Sequence, residues 1–338
     1  METFPTNFND VLTRIELRGE RLRLAISAHT EICQVLEASS QLKQWGVQTV
    51  LIGSYARETA IYPGKDVDVF CKLTALDVSA SPLQIFNAVH QVLLTRYGST
   101  RVEPNRRSVK VKFEFAEEDE KFSVDVVPAV KWESRWGIPA TDRTLWEVRE
   151  PLRRWIETDP EKLTELTSTR NRRPEINGRG AYVPLVKLIK QIREHHLGEN
   201  KPGGLYCELL TYWVFEGGRR EDSFAELLAA VLSSAAQQLQ RAISQPLQDP
   251  VLNRPYDPRP SNSELIKASA VLGELAKEAS QALTLSRCPA AAKWRHILGK
   301  NGRGWCFPLP DGCDETGKEL GPIVAVRSRG SEEAHGFG

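Results

Sequence analysis

Asp66 and Asp68 flank Val67 at the head of an apolar run that continues through Val69, Phe70 and Cys71. Side chains alternate across a strand, so the two carboxylates share one face while Val67, Val69 and Cys71 share the other. Neighbouring carboxylates repel, and such a pair is tolerated when divalent cations sit between its members. Mg²⁺ in particular takes one or two carboxylates and completes its shell with water and substrate phosphates. A third carboxylate, Asp125, interrupts the strand pattern that runs from Phe122 to Pro128. Asp is depleted in strands and costly to bury unless its charge is compensated, and cations shared with Asp66 and Asp68 would account for all three. Upstream, Gly53 and Ser54 end another apolar run, Val47 to Ile52. A glycine lets backbone approach a ligand closely, and a serine adds a hydroxyl and an N–H, which is the chemistry of a phosphate-cradling turn. Taken singly these features are ordinary, since Gly-Ser is common in turns and Asp-x-Asp at a strand start is commonly solvated. Their order, with Arg57 and Thr59 between them, carries the weight.

The elements that must position these residues are readable in outline. Val47 to Ile52 reads as a buried strand, and a turn signal at Pro63 and Gly64 precedes a second strand that begins with Asp66. From about Asn9 to Leu42, apolar positions at Val11, Ile15, Leu22, Ile26, Cys33 and Leu36 predict one or two helices backing the sheet, with Gly19 as a weak point. Ser81 and Pro82 are a helix start, and Gly98 a helix end. Val109, Val111 and Phe113 alternate with Lys110, Lys112 and Glu114, and pairing with the Phe122 strand makes a hairpin with Asp125 opposite Phe122, Val124 and Val126. The stretch from Lys131 to Gly180, with Trp132, Trp136, Trp146 and Trp155, reads as an irregular connection holding a short helix at Pro160 and a basic loop near the cleft.

Four or more helices follow. The first opens at Tyr182 and Pro184, buries Leu185, Leu188, Ile189 and Ile192, and carries Lys187 and Lys190 on another flank. The next presents Leu205, Leu209, Leu210 and Trp213, with Tyr206 near its start. Ser261 and Glu264 form a capping-box pattern at the head of a later one. The expected fold class is α+β: a small mixed sheet backed by helices over residues 1–160, a helical bundle over 161–310, a cleft between the lobes, and a flexible tail over 311–338.

Composition narrows the partners. At 338 residues the chain is long enough for two domains, and a formal charge of +1 lacks the basic surplus of a duplex-binding protein, so no long nucleic-acid groove is expected. Cys288, His296, Cys306 and Cys313 are too irregularly spaced to read as a zinc site. No signal peptide or bilayer-length apolar run is evident, so membrane partners are not expected and the cytoplasm is the expected location. The GxxxxGK[ST] sequence of P-loop NTPases is absent.

The pattern Gly53, Ser54, Arg57, Thr59, Ile61, Asp66, Val67, Asp68, followed by Val124, Asp125 and Val126, resembles that of polymerase-β-type nucleotidyltransferases. More narrowly it resembles the bacterial cyclic-oligonucleotide synthases, the CD-NTases, with further matches at Leu185 to Lys190, Gln248 to Val251, Ala292 to Gly299 and Phe307-Pro308. The resemblance implies a two-lobed, polymerase-β-like enzyme that joins NTPs (ATP, with GTP, UTP or CTP as alternatives) into a cyclic di- or trinucleotide signal for antiphage (CBASS-type) defence. It implies two Mg²⁺ or Mn²⁺ ions on Asp66, Asp68 and Asp125, with pyrophosphate as leaving group and Asp125 taking the hydroxyl proton. Gly53, Ser54, Arg57, Thr59 and Lys187 or Lys190 would hold the nucleotide. Lys190 matches the lysine that contacts triphosphate in the animal relatives, and Tyr206 falls where an aromatic stacks on a base. Leu205 departs from the serine that usually precedes that aromatic, which puts that phosphate contact in doubt. The alternatives are transfer to a tRNA end, to a small molecule or to a protein, or a silent nucleotide-binding module, whose expected mark is a missing carboxylate. An operon-encoded regulator is a further expected partner. A ubiquitin-like transferase acting on the end at Gly338 is another, beside the plainer reading of an unstructured terminus.

Overall fold

The structure is a computed structural model that describes residues 2–320 except 116–117, 173, 200, 216–220 and 258. Of the tail expected over 311–338, residues 311–320 are described and are tied down at the buried Cys313 by a disulfide to Cys288. Residues 321–338, with the Gly338 terminus, lie outside the described residues.

Two large hydrophobic cores, with a small third one around Phe70, Ala129 and Ile138, organise the described residues. The N-terminal helices α1 (Pro5–Ile15) and α2 (Gly19–Ala38) are followed by the short α3 (Ser40–Gln44), β1 (Val47–Ile52), α4 (Gly53–Ala56), β2 (Asp66–Asp77) and α5 (Pro82–Tyr97). Then come β3 (Val102–Pro104), β4 (Val109–Phe115), β5 (Glu118–Trp132), β6 (Arg135–Pro139) and β7 (Trp155–Thr158). The sheet runs β1-β2-β5-β4-β3, with β6 and β7 continuing from the far end of β5. Among the described strands of this sheet only the β2–β5 pair is parallel, and the connection between them runs through α5, β3 and β4. Ser81 accepts a hydrogen bond from the Gln84 N–H and Pro82 occupies the first turn of α5, as its sequence implies. Helices α2 and α5 cover one sheet face through Ile32, Leu36, Phe86, Val89 and Leu93, against Val67, Val69, Cys71, Val124 and Val126. The opposite face carries the carboxylates.

Three sequence expectations change here. Strand β1 is an edge strand and only half-buried, because nothing pairs on its outer side. The stretch after Lys131 is not irregular throughout but contributes β6 and β7, whose short length and terminal Pro139 hide the period-two pattern. The N-terminal stretch gives two helices, within the one or two expected, but only α2 backs the sheet. Residues 16–18 separate the two, α2 starting at Gly19 with φ +65°, and α1 leaves the sheet altogether. Its Phe8, Val11, Leu12 and Ile15 are buried in the helical lobe, with the Phe8 ring 5.2 Å from Trp294 and 5.6 Å from Phe307.

The helical lobe comprises α6 (Pro160–Asn171), a small hairpin of β8 (Glu175–Ile176) and β9 (Arg179–Gly180), then α7 (Tyr182–His196), α8 (Gly204–Val214), α9 (Phe224–Arg241), α10 (Asn262–Ala282) and α11 (Arg287–Leu298). The capping box at Ser261 and Glu264 forms as the sequence implies. Of the basic segment around the β8–β9 hairpin, Arg170, Arg172 and Arg179 do not line the cleft. Arg170 lies 3.7 Å over the Tyr212 ring, and Arg179 donates to Asn9. Cys288 and Cys313 are joined by a disulfide, Cys306 is buried apart from them, and His296 pairs with Glu278 at 2.8 Å. Among the described residues no helix is long and apolar enough to cross a membrane.

Candidate active site

Strand register brings the three carboxylates to one place. In the parallel β2–β5 pair Asp68 is the partner of Asp125 and Asp66 the partner of Ser123, so all four side chains lie on the same face of adjacent strands. The three carboxylates line a cleft of about 1230 Å³ between the sheet and the helical lobe, with Ser123 buried beside them. Ser123 Oγ donates to Asp66 at 2.7 Å, and Ser108 Oγ donates to Asp125 at 2.9 Å. From β4, where Lys110 is the register partner of Asp125, its ammonium reaches Asp66 at 3.4 Å and Asp125 at 3.6 Å. Among the described residues Asp68, the register partner of Asp125, has no hydrogen-bond or ion-pair partner of this kind. Burial first, and the Asp125 charge second, push its carboxyl up to about 7.

Gly53 sits against this cluster. It has φ +74°, and a Cβ at that position would fall 2.8 Å from Asp68 Cγ and closer still to Oδ2. The turn is therefore a cradle that only glycine fits, open on the cleft side to whatever Asp68 holds. Ser54 follows at the start of α4, and its carbonyl receives the Thr59 and Ala60 N–H groups, which ties the turn shut.

The wall opposite is held by a buried carboxylate on α8. Glu208 accepts from Arg57 Nε at 2.8 Å and Nη2 at 3.3 Å, and from Lys190 Nζ at 2.6 Å; Lys190 also donates to the Thr59 carbonyl at 3.0 Å. One carboxylate thus joins the loop after α4 in the sheet lobe to α7 and α8 in the helical lobe. Burial alone raises a carboxyl, yet the two cations outweigh it and hold Glu208 down to about 2, against an ordinary 4.5. A carboxyl depressed in the fold stabilises it above its unfolded value and loses that contribution as pH falls through the depressed one. Unfolding free energy from urea titrations is therefore expected to drop between about pH 4.5 and pH 2, and to drop less steeply in Glu208→Gln. Equal slopes in the two proteins would remove Glu208 as the cause.

Of the residues singled out from the sequence, Gly53, Ser54, Arg57, Asp66, Asp68, Asp125 and Lys190 all line the cleft. Arg57 and Lys190 do so with their charges already committed to Glu208. Thr59 is fully buried behind the turn, with its hydroxyl 3.5 Å from the Ser54 carbonyl. Lys187 turns to Glu16 at 2.9 Å, outside the cleft. Tyr206 is 2 % exposed and packs in the helical core near Tyr256, because Tyr206, Leu209 and Leu210 share one helix face. The side of α8 toward the cleft carries Leu205 and Glu208 instead, and Tyr256 is an aromatic that does line the cleft. Lys110, Ser108, Ser123 and Glu208 were not marked by the sequence pattern. For Lys110 the available signal was its alternation with Val109 and Val111, which puts it on the carboxylate face once the hairpin register is known.

Among the described residues no three acidic, imidazole or thiol groups stand close enough to enclose an ion as they are. The donor set nevertheless fits a divalent cation. Three carboxylates share one face, an ammonium already stands where positive charge is needed, and Asp68 is starved of it.

Comparison with known proteins shows the family. Residues 1–171 match the family described as the Second Messenger Oligonucleotide or Dinucleotide Synthetase domain (SMODS). The chain is also 30% identical over 259 residues to the Cyclic AMP-AMP-AMP synthase of Acinetobacter sp. (strain ATCC 27244 / 9458), covering 73% of this chain and 70% of that protein. The chain is a bacterial CD-NTase. As such it is a nucleotidyltransferase of the cyclic-oligonucleotide synthase class. CD-NTase folds also superpose on it over nearly its whole length. E. coli MS115-1 CdnC, solved with ATP, is 14% identical with a TM-score of 0.65, over 91% of this chain and 100% of its own. Vibrio cholerae DncV cyclic AMP-GMP synthase is 16% identical with a TM-score of 0.60, over 88% and 95%. These likenesses extend the CD-NTase fold to the helical lobe beyond the SMODS match.

Proposed function

We propose that this CD-NTase joins NTPs, ATP foremost, into a cyclic oligonucleotide second messenger of CBASS-type defence, with Asp66, Asp68 and Asp125 as the catalytic carboxylates and metal ligands. The observation that carries the reading is the Asp68–Asp125 register on adjacent parallel strands, closed on one side by Gly53. ATP is placed first because the Acinetobacter relative is a Cyclic AMP-AMP-AMP synthase. Mg²⁺ or Mn²⁺, two per site and held by these three carboxylates, would lower the pKa of the attacking hydroxyl and neutralise the triphosphate. In each joining step a ribose hydroxyl oxygen bonds to an α-phosphorus, the α–β bridging bond breaks, and pyrophosphate leaves with the electron pair. Asp125 is the acceptor for the hydroxyl proton. Ser54 supplies an N–H and a hydroxyl to the phosphates where Gly53 admits them. Arg57 and Lys190 act through Glu208, fixing the turn and the helical wall at one separation, so they position the triphosphate site and are not its free cations. The cytoplasm supplies the NTPs. A regulator is a reasonable partner, since CdnC of E. coli MS115-1 has been solved in a CdnC:HORMA-deltaN complex.

Incubating the protein with Mg²⁺ and mixed labelled NTPs, without nucleic acid, and then treating with phosphatase tests the assignment. A phosphatase-resistant product built from ATP is expected, lost in Asp68→Ala. Incorporation that requires added tRNA would move the assignment to tRNA-end transfer.

A further inference from the structure

Lys110 is the one cleft cation, among the described residues, that touches two of the three carboxylates. It comes from β4, paired with Asp125 across the antiparallel ladder, and its ammonium spans to Asp66 two positions away on β2. Ser123 and Ser108 each donate to one of the same two carboxylates, so Asp66 and Asp125 are held from both sides. The neighbouring Arg57 cannot substitute, because Glu208 engages its Nε and Nη2 edge as a buried pair. The Lys110 side chain is 28% exposed, so the ammonium has a path out of the carboxylate group.

We infer that Lys110 is a positioning residue that serves as a built-in counter-cation: it holds Asp66 and Asp125 while no metal is bound and competes with the divalent ion for them. The inference rests on the reading of Asp66, Asp68 and Asp125 as metal ligands. Its physical basis is charge. An ammonium and a dication placed a few ångströms apart repel, so a metal ion enters this group only as Lys110 leaves it. Metal affinity of the nucleotide-free enzyme is thereby lowered, and triphosphate oxygens brought by a substrate restore the balance by supplying ligands of their own. The bland alternative is a cross-strand ion pair of a few tenths of a kcal/mol that matters only to the sheet. Such a pair has no reason to weaken metal binding.

Mn²⁺ titrations followed by electron paramagnetic resonance, without nucleotide, separate the two. Lys110→Met is expected to bind Mn²⁺ about tenfold or more tightly than the unaltered enzyme, from relief of charge repulsion, while Lys110→Arg stays near the unaltered value. Equal or weaker binding in a folded Lys110→Met overturns the inference. A second measurement needs no variant: lysine acetylation mapped by peptide mass spectrometry should be slow at Lys110 in EDTA and rise severalfold in saturating Mg²⁺. An unchanged rate at Lys110 also overturns it. Saturable Mn²⁺ binding in no form, even with ATP present, would overturn the metal-site reading and this inference with it, an outcome distinct from equal binding in all forms.

Discussion

Gly53→Ala is expected to abolish most nucleotide turnover while leaving the protein folded. The added methyl falls 2.8 Å from Asp68 Cγ and inside contact distance of Oδ2, so either the turn or the carboxylate must move by more than an ångström. The turn has little freedom, being closed by the Thr59 and Ala60 N–H groups on the Ser54 carbonyl and by Arg57 on Glu208. Asp68 is the side that yields, and a displacement of about 1 Å at reacting groups costs on the order of 10²-fold in rate. The φ of +74° adds about 1 kcal/mol of backbone strain, small beside the stability of a domain, so the unfolding midpoint should fall only slightly. Steady-state pyrophosphate release together with thermal unfolding checks both halves. Turnover within tenfold of the unaltered enzyme would show that Asp68 is not where the chemistry depends on it.

Glu208→Ala has the largest expected effect on stability. It strands two buried cations, Arg57 and Lys190, whose side chains are 5% and 8% exposed. Removing one member of a buried ionic group costs about 3–5 kcal/mol, mostly because the remaining charge is left uncompensated. At roughly 2–4 °C per kcal/mol, the melting temperature should drop by about 10 °C. Removing the stranded charges as well, in Glu208→Ala combined with Arg57→Met and Lys190→Met, should return part of that loss, since apolar replacements of buried ionic groups are commonly tolerated. A double-substitution cycle between positions 57 and 208 should give a coupling above about 1 kcal/mol. Additive losses would mean that the three side chains do not act as one unit.

These two expectations show where sequence reasoning reaches and where it stops. The carboxylate spacing and the glycine before it are local, and alternation along one strand suffices to put Asp66 and Asp68 together. The helix starts at Ser81 and Ser261 are equally local and form as read. What required the fold was register and the choice of partner. Nothing in the β4 sequence says that Lys110 pairs with Asp125, and not with a residue two positions away. Glu208 lies 151 residues from Arg57, so no local pattern could join them. The helical period does place Tyr206 with Leu209 and Leu210 on a buried face, and the expectation of a base-stacking role for Tyr206 came from resemblance against that period. The amphipathic α1 looked like a sheet-backing helix because its apolar stripe is generic, and any core of suitable shape satisfies it.

Carboxylates from two strands act together on nucleoside triphosphates in this reading of the site. The most direct measurement of it is pyrophosphate release from ATP in Mg²⁺, with the mass of the phosphatase-resistant product, for the unaltered enzyme beside Asp125→Asn. That substitution keeps the size of the side chain and, with a flipped amide, the Ser108 contact, while removing the charge. Pyrophosphate and a cyclic product from the former, and turnover lower by on the order of 10³-fold from a folded Asp125→Asn, are the expected pair of results. A folded Asp125→Asn that releases pyrophosphate at the unaltered rate would show that the Asp125 charge takes no part in the chemistry.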